Sequence, residues 1–91
     1  MKTKVNVDIM LKEGILDPQG KTVEQSLPSL GFSGVEHVRI GKHIEMTVSG
    51  ESIDEVRERV WEMTNRFLSN PVIEEAKVEL AAWAVESPAS Q

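Results

Sequence analysis

The sequence predicts a single α+β domain with two helices on one face of a four-stranded antiparallel sheet, and three observations predict it. Three stretches alternate apolar and polar residues with the period of a strand, and a fourth does so more loosely. Two others repeat apolar residues at spacings of three and four. Their order is strand, helix, strand, strand, helix, strand, which is the split β-α-β (βαββαβ) arrangement of ferredoxin-like domains. The 91 residues suffice for one core and leave nothing for a second, so one domain is expected over residues 1–85, with a flexible tail at 86–91.

In the first strand Val5, Val7, Ile9 and Leu11 alternate with Lys4, Asn6, Asp8 and Lys12. Gly14 breaks the alternation. Asp17 then suits the N-cap of a helix, its carboxylate accepting orphan amide protons at the positive end of the helix dipole, and Pro18 suits the first helical position, where no N–H is needed. Val23, Leu27 and Leu30 form one narrow apolar stripe. Pro28 would remove a hydrogen bond and clash with the carbonyl of Glu24, so the last turn is expected to kink or tighten before Gly31 stops the helix. Ile15 and Leu16 are apolar residues in the connecting loop. A hydrophobic staple would need an apolar residue where Lys21 stands, so the pair is expected to face something else.

Residues 34–50 read as a hairpin around Gly41 and Lys42, with Val38 and Ile40 in one arm and Ile44, Met46 and Val48 in the other. A two-residue loop would pair Ile40 with His43 and Val38 with Glu45, mixing apolar with polar residues on one face. An odd loop or a bulge near Gly41 is therefore expected. Ser52 and Glu55 form a capping box that opens the second helix, whose stripe is Ile53, Val56, Val60, Met63 and Phe67. Asn70-Pro71 ends it. The last strand alternates Ala76, Val78, Leu80 and Ala82 with Lys77, Glu79, Ala81 and Trp83. The open sheet face should carry Lys4, Asn6, Asp8, Lys12, His37, Arg39, Lys77 and Glu79, mixed in sign and able to pair across a symmetric interface.

A net charge of -5 with no basic stripe argues against nucleic acid or an anionic membrane as partner. With no cysteine there is neither a disulfide framework nor thiolate chemistry. No apolar run is long enough to span a membrane and no signal core follows Met1, so a cytoplasmic location is expected. His37 and His43 are the only histidines and neither has a ligand partner at metal spacing, so no metal site is expected. Glu55, Glu58 and Glu62 share their helix with Arg57, Arg59 and Arg66, the pattern of a solvated face. Neither GxGxxG nor GxxxxGK occurs, and no serine sits in a nucleophile elbow. Arg39, Gly41 and Lys42 are either a solvated turn or a small basic site for an acidic surface or a phosphate. Trp61 and Trp83 are either interface anchors or partly exposed core. The chemistry alone gives an interaction module with no catalytic residues.

Residues 11–20, Leu-Lys-Glu-Gly-Ile-Leu-Asp-Pro-Gln-Gly, then Leu30-Gly31-Phe32, Val38-Arg39-Ile40-Gly41-Lys42 and Asn70-Pro71-Val72-Ile73-Glu74 resemble the PurS family, the small subunits of phosphoribosylformylglycinamidine synthase. The resemblance covers nearly the whole chain to about Leu80; Pro28 and the tail from Ala81 to Gln91 depart from it. It implies a step of de novo purine synthesis in which the assembled enzyme converts formylglycinamide ribonucleotide to the amidine, using ATP, Mg and ammonia from glutamine, with no cofactor bound by this chain. It also implies a homodimer or larger homo-oligomer that bridges the glutaminase and large synthetase subunits and helps pass ammonia between them. Asp17, Pro18, Gln19, Gly20, Arg39, Gly41 and Lys42 become assembly positions on this reading, and Ile15 and Leu16 a docking element. Two other readings of the fold are a ligand-sensing regulatory module, with a small molecule at a dimer interface near Gly14 or Gly31, and a small acyl-phosphate hydrolase. The hydrolase would need a phosphate-cradling loop where Asp17 and Pro18 suit a cap instead.

Overall fold

The computed structural model describes residues 1–81. Its elements are strand β1 (Lys2–Leu11), helix α1 (Pro18–Ser26), a 3-10 turn (Pro28–Leu30), strand β2 (Lys42–Ser49), helix α2 (Ile53–Met63), a π-helical turn (Thr64–Leu68) and strand β3 (Glu74–Ala81). The sheet is three-stranded and antiparallel in the order β2-β1-β3. Val5 stands between Met46 and Leu80, and Val7 between Ile44 and Val78, so the inward residues of all three strands share one face. Val5, Val7 and Ile9 of the central strand are sealed beneath Val56 and Val60 of α2, with Val48 at the edge. Burying a valine of this kind contributes roughly 1.5–3 kcal/mol.

A four-stranded sheet is not formed. Residues 34–41, expected as the first arm of a hairpin, make no strand, and β2 pairs with β1 alone. The alternation of Val38 and Ile40 is real, but the backbone cannot use it: His37 lies at φ 61°, outside the extended region. The amides that a ladder would need are also committed elsewhere. Val38 N–H donates to Glu24 Oε1 at 3.3 Å and Ile40 N–H to Asp17 Oδ2 at 2.9 Å, so side chains of the first helical unit replace a neighbouring strand. With no hairpin there is no odd loop or bulge at Gly41. His37 and Arg39 consequently leave the open sheet face, which carries Lys4, Asn6, Asp8, His43, Glu45, Lys77 and Glu79, and Lys12 lies just past the end of β1.

Helix α1 is capped as its sequence demands, Gly20 N–H donating to Asp17 Oδ1 at 2.9 Å, and Pro28 tightens the chain into the 3-10 turn that Gly31 closes at φ 99°. In α2, Ser52 Oγ accepts from Glu55 N–H at 3.1 Å, while the Glu55 carboxylate reaches one residue beyond the expected capping box, to the amide of Glu51. The stripe of α2 was expected to continue to Phe67, yet Phe67 is 86% exposed. The π turn explains this. Ser69 N–H and its hydroxyl both bond the carbonyl of Thr64, at 2.9 and 3.0 Å, which widens the turn by one residue. Thr64 and Leu68 then face inward in place of Phe67. The expected end of the last strand at Ala82 and Trp83, and the tail at 86–91, lie outside the described residues.

Helix α1 does not complete the helical layer. Of its nine residues only Gly20 is buried. The inward residues of the edge strands, Ile44 and Met46 on β2 and Val78 and Leu80 on β3, stay half-buried. Residues 18–41 thus form an arm that lies beside the sheet and is not a layer on it.

Candidate functional site

The base of this arm is where the expected assembly residues meet, and the organising group is the Asp17 carboxylate. One oxygen takes the Gly20 amide and the other the Ile40 amide, tying the start of α1 to the strand-like return of the arm. These hydrogen bonds, the Gly20 one first, hold the carboxyl below its ordinary 3.8, with the Arg39 charge adding to the effect. Gly20 is needed for the approach, because a Cβ there would run into the carbonyl oxygen of Val38. Gly41 is needed for the same reason on the other side, where a Cβ would strike the carbonyl of Ile9.

Arg39 completes the clamp. Its guanidinium donates to the carbonyl of Leu11, at the end of β1, and lies 3.5 Å from Glu13. Lys42 takes no part: its ammonium turns to the other side and donates to the carbonyl of Leu68 at 3.2 Å, so the expected basic cluster is divided between two surfaces. Pro18 and Gln19 are exposed on the first turn of α1, beside Val23 and Ile40. Glu24 and Glu13 belong to the clamp although neither was expected there. Glu24 could have been found, since it lies seven residues after Asp17 and so on the same side of the helix.

Ile15 and Leu16 ride on the loop that the clamp holds. Ile15 is 40% and Leu16 71% exposed, beside an open cleft of about 700 Å³ between the loop, α1 and residues 36–39. Glu13, Glu24 and Glu36 alternate there with Lys12, Lys21 and Arg39, and the ion pair at its rim is solvated. The cleft thus presents mixed charge around two exposed apolar residues.

A second polar group was not anticipated. On the open sheet face His43 lies across from Asp8, its Nδ1 2.5 Å from the Asp8 carboxylate and its Nε2 3.1 Å from Glu45. The hydrogen bond to Asp8, then that to Glu45, raises the imidazole above its ordinary 6.5. His37 instead sits on the arm, 3.7 Å from Glu36. Among the described residues no helix is long and apolar enough to cross a membrane.

The family model PurS, phosphoribosylformylglycinamidine (FGAM) synthase, matches residues 4–82. The chain belongs to the PurS family. It is similar to the FGAM synthase subunit PurS of Methanocaldococcus jannaschii, 39% identical over 85% of this chain and 93% of the relative. Among solved structures it is similar to Bacillus subtilis PurS, 41% identical with a TM-score of 0.75 over 87% of this chain and 98% of that one. It is also similar to a chain in the structure of PurLQS from Thermotoga maritima, 30% identical with a TM-score of 0.81 over 89% of this chain and 99% of the other. The function of the family is thereby that of this chain, a PurS subunit of FGAM synthase in purine biosynthesis.

Proposed function

We propose that this chain serves FGAM synthase as an assembly subunit: a homo-oligomer that bridges the large synthetase and glutaminase subunits and helps ammonia pass between them. ATP, Mg and glutamine belong to the assembled complex on this reading, and the chain binds none of them itself. The observation that carries the proposal is the loop at Ile15 and Leu16. Two apolar residues stand exposed on a segment fixed at both ends by the Asp17 and Arg39 clamp, so ordering them for a partner costs little conformational entropy. The mixed-sign rim of the same cleft suits protein recognition better than a single anionic metabolite. The similar chain in the Thermotoga PurLQS structure is consistent with partner subunits here. A cytoplasmic site of action fits a purine-biosynthetic subunit.

The test is reconstitution of synthase activity from synthetase and glutaminase subunits with and without this chain, using glutamine and then ammonium as nitrogen donor. Activity with glutamine should depend on the chain far more than activity with ammonium. Equal glutamine-dependent activity in its absence, with no binding to either subunit, would refute the proposal.

A further inference from the structure

His43 has no part in the arm or the cleft, and the geometry around it on the open sheet face sets a proton requirement. A neutral imidazole carries one N–H and one bare nitrogen, whereas an imidazolium carries two N–H groups. Here both nitrogens face carboxylate oxygens, Nδ1 at 2.5 Å from Asp8 and Nε2 at 3.1 Å from Glu45. Ionised carboxylates accept and do not donate, so only the imidazolium makes both bonds at once. Loss of the proton turns a nitrogen lone pair against an anionic oxygen.

The neighbours offer no substitute for that proton. Helix α2 lies on the inner face, so the groups around His43 come from the three strands. On β2 itself the charged neighbour is Glu45; on β1, Asp8 stands opposite, with Lys4 further along; on β3, Lys77 stands beyond Asp8 and Glu79 beyond Asn6. Lys77 turns along its own strand to Glu79, at 3.5 Å. Among the described residues His43 is thus the only cation within ion-pair distance of Asp8 or of Glu45. Strand β2 lies at the edge of the sheet and is paired to β1 alone, so this side-chain bridge reinforces the one ladder that holds it. The same proton balances the face, where Lys2, Lys4, Lys77 and a protonated His43 stand against Asp8, Glu45, Glu75 and Glu79.

We infer that His43 is a proton-held bridge: its imidazolium fastens the edge strand β2 to β1 through Asp8, and loss of the proton loosens that edge and leaves carboxylates in excess on the open face. The hydrogen bonds that define the bridge, to Asp8 first and then to Glu45, also raise the imidazole above 6.5. The bridge is therefore complete below pH 6.5 for as long as both carboxylates stay ionised, and it is lost as pH rises through the raised value. The His43 side chain is half exposed, so added salt should weaken the bridge and bring the titration midpoint down.

Nitrogen-15 NMR of the imidazole ring reads this proton directly, and His37→Gln leaves His43 as the single histidine of the chain. Its midpoint in the folded chain should lie above that of the same residue in the urea-unfolded chain, with both ring nitrogens protonated below the midpoint. Asp8→Asn should lower the midpoint more than Glu45→Gln. Urea denaturation reads the consequence for the strand. The native chain should unfold at a higher urea concentration than His43→Gln at about pH 6 and at the same concentration at about pH 9, whereas His43→Lys, which keeps its charge, should exceed His43→Gln at both. A folded-state midpoint no higher than the unfolded one, or a difference between native chain and His43→Gln that does not change with pH, would overturn the inference.

Discussion

Thr3 is fully buried on the core face of β1, and its hydroxyl has no hydrogen-bond partner. A buried hydroxyl left unpaired is a net cost, so Thr3→Val, which keeps the shape and removes the polar atom, should stabilise the fold by about 1 kcal/mol, read as a higher urea midpoint with an unchanged slope. Asp17 acts in the opposite direction. Its carboxyl is held below its ordinary value in the folded chain, so its stabilisation is present above pH 3.8 and is lost as pH falls through the lowered value. Asp17→Asn should therefore destabilise the arm at neutral pH and flatten the stability profile below pH 4, measured by thermal melts across pH. The sequence already showed Asp17 as a cap, because Pro18 and the end of the strand alternation fix where the helix begins. Its second oxygen, bonded to Ile40, was not legible, since nothing local says that residues 34–41 return to the cap.

At the scale of elements, burial patterns proved readable where a strand or helix meets its own core. β1, β2, β3 and the first two turns of α2 follow the apolar periodicity, and Pro28 tightens the end of α1 as its chemistry requires. The misreadings have local physical causes. Alternation at Val38 and Ile40 resembled an edge strand, but side-chain acceptors took the amides that such a strand would have shared. A regular 3.6-residue period placed Phe67 inside, and one wide turn set by Ser69 and Thr64 moved it out. Phe67→Ser should thus leave stability within about 0.5 kcal/mol of the native chain. Gly20→Ala should be far more damaging, at roughly 1–3 kcal/mol, because its Cβ meets the Val38 backbone; loss of amide protection across residues 18–41, with β1 unaffected, is the expected hydrogen-exchange result.

For the whole molecule, the three-stranded sheet and the position of α1 show why the expected four-stranded fold with two helices on one face does not form. Periodicity reports that a face is apolar, not what covers it, so a helix read from Val23, Leu27 and Leu30 was assigned to the sheet when it does not pack on it. The exposure of Ile15 and Leu16 was legible for the converse reason: with Lys21 where a staple partner would stand, the helix offered them no apolar contact, and they are exposed. The most direct measurement of the central claim is glutamine-dependent FGAM synthase activity, reconstituted from synthetase and glutaminase subunits with the native chain or with Ile15→Asp and Leu16→Asp together. An assembly subunit predicts a variant that keeps its fold and loses both partner binding and most of the glutamine-dependent activity. Full activity with the variant would contradict it.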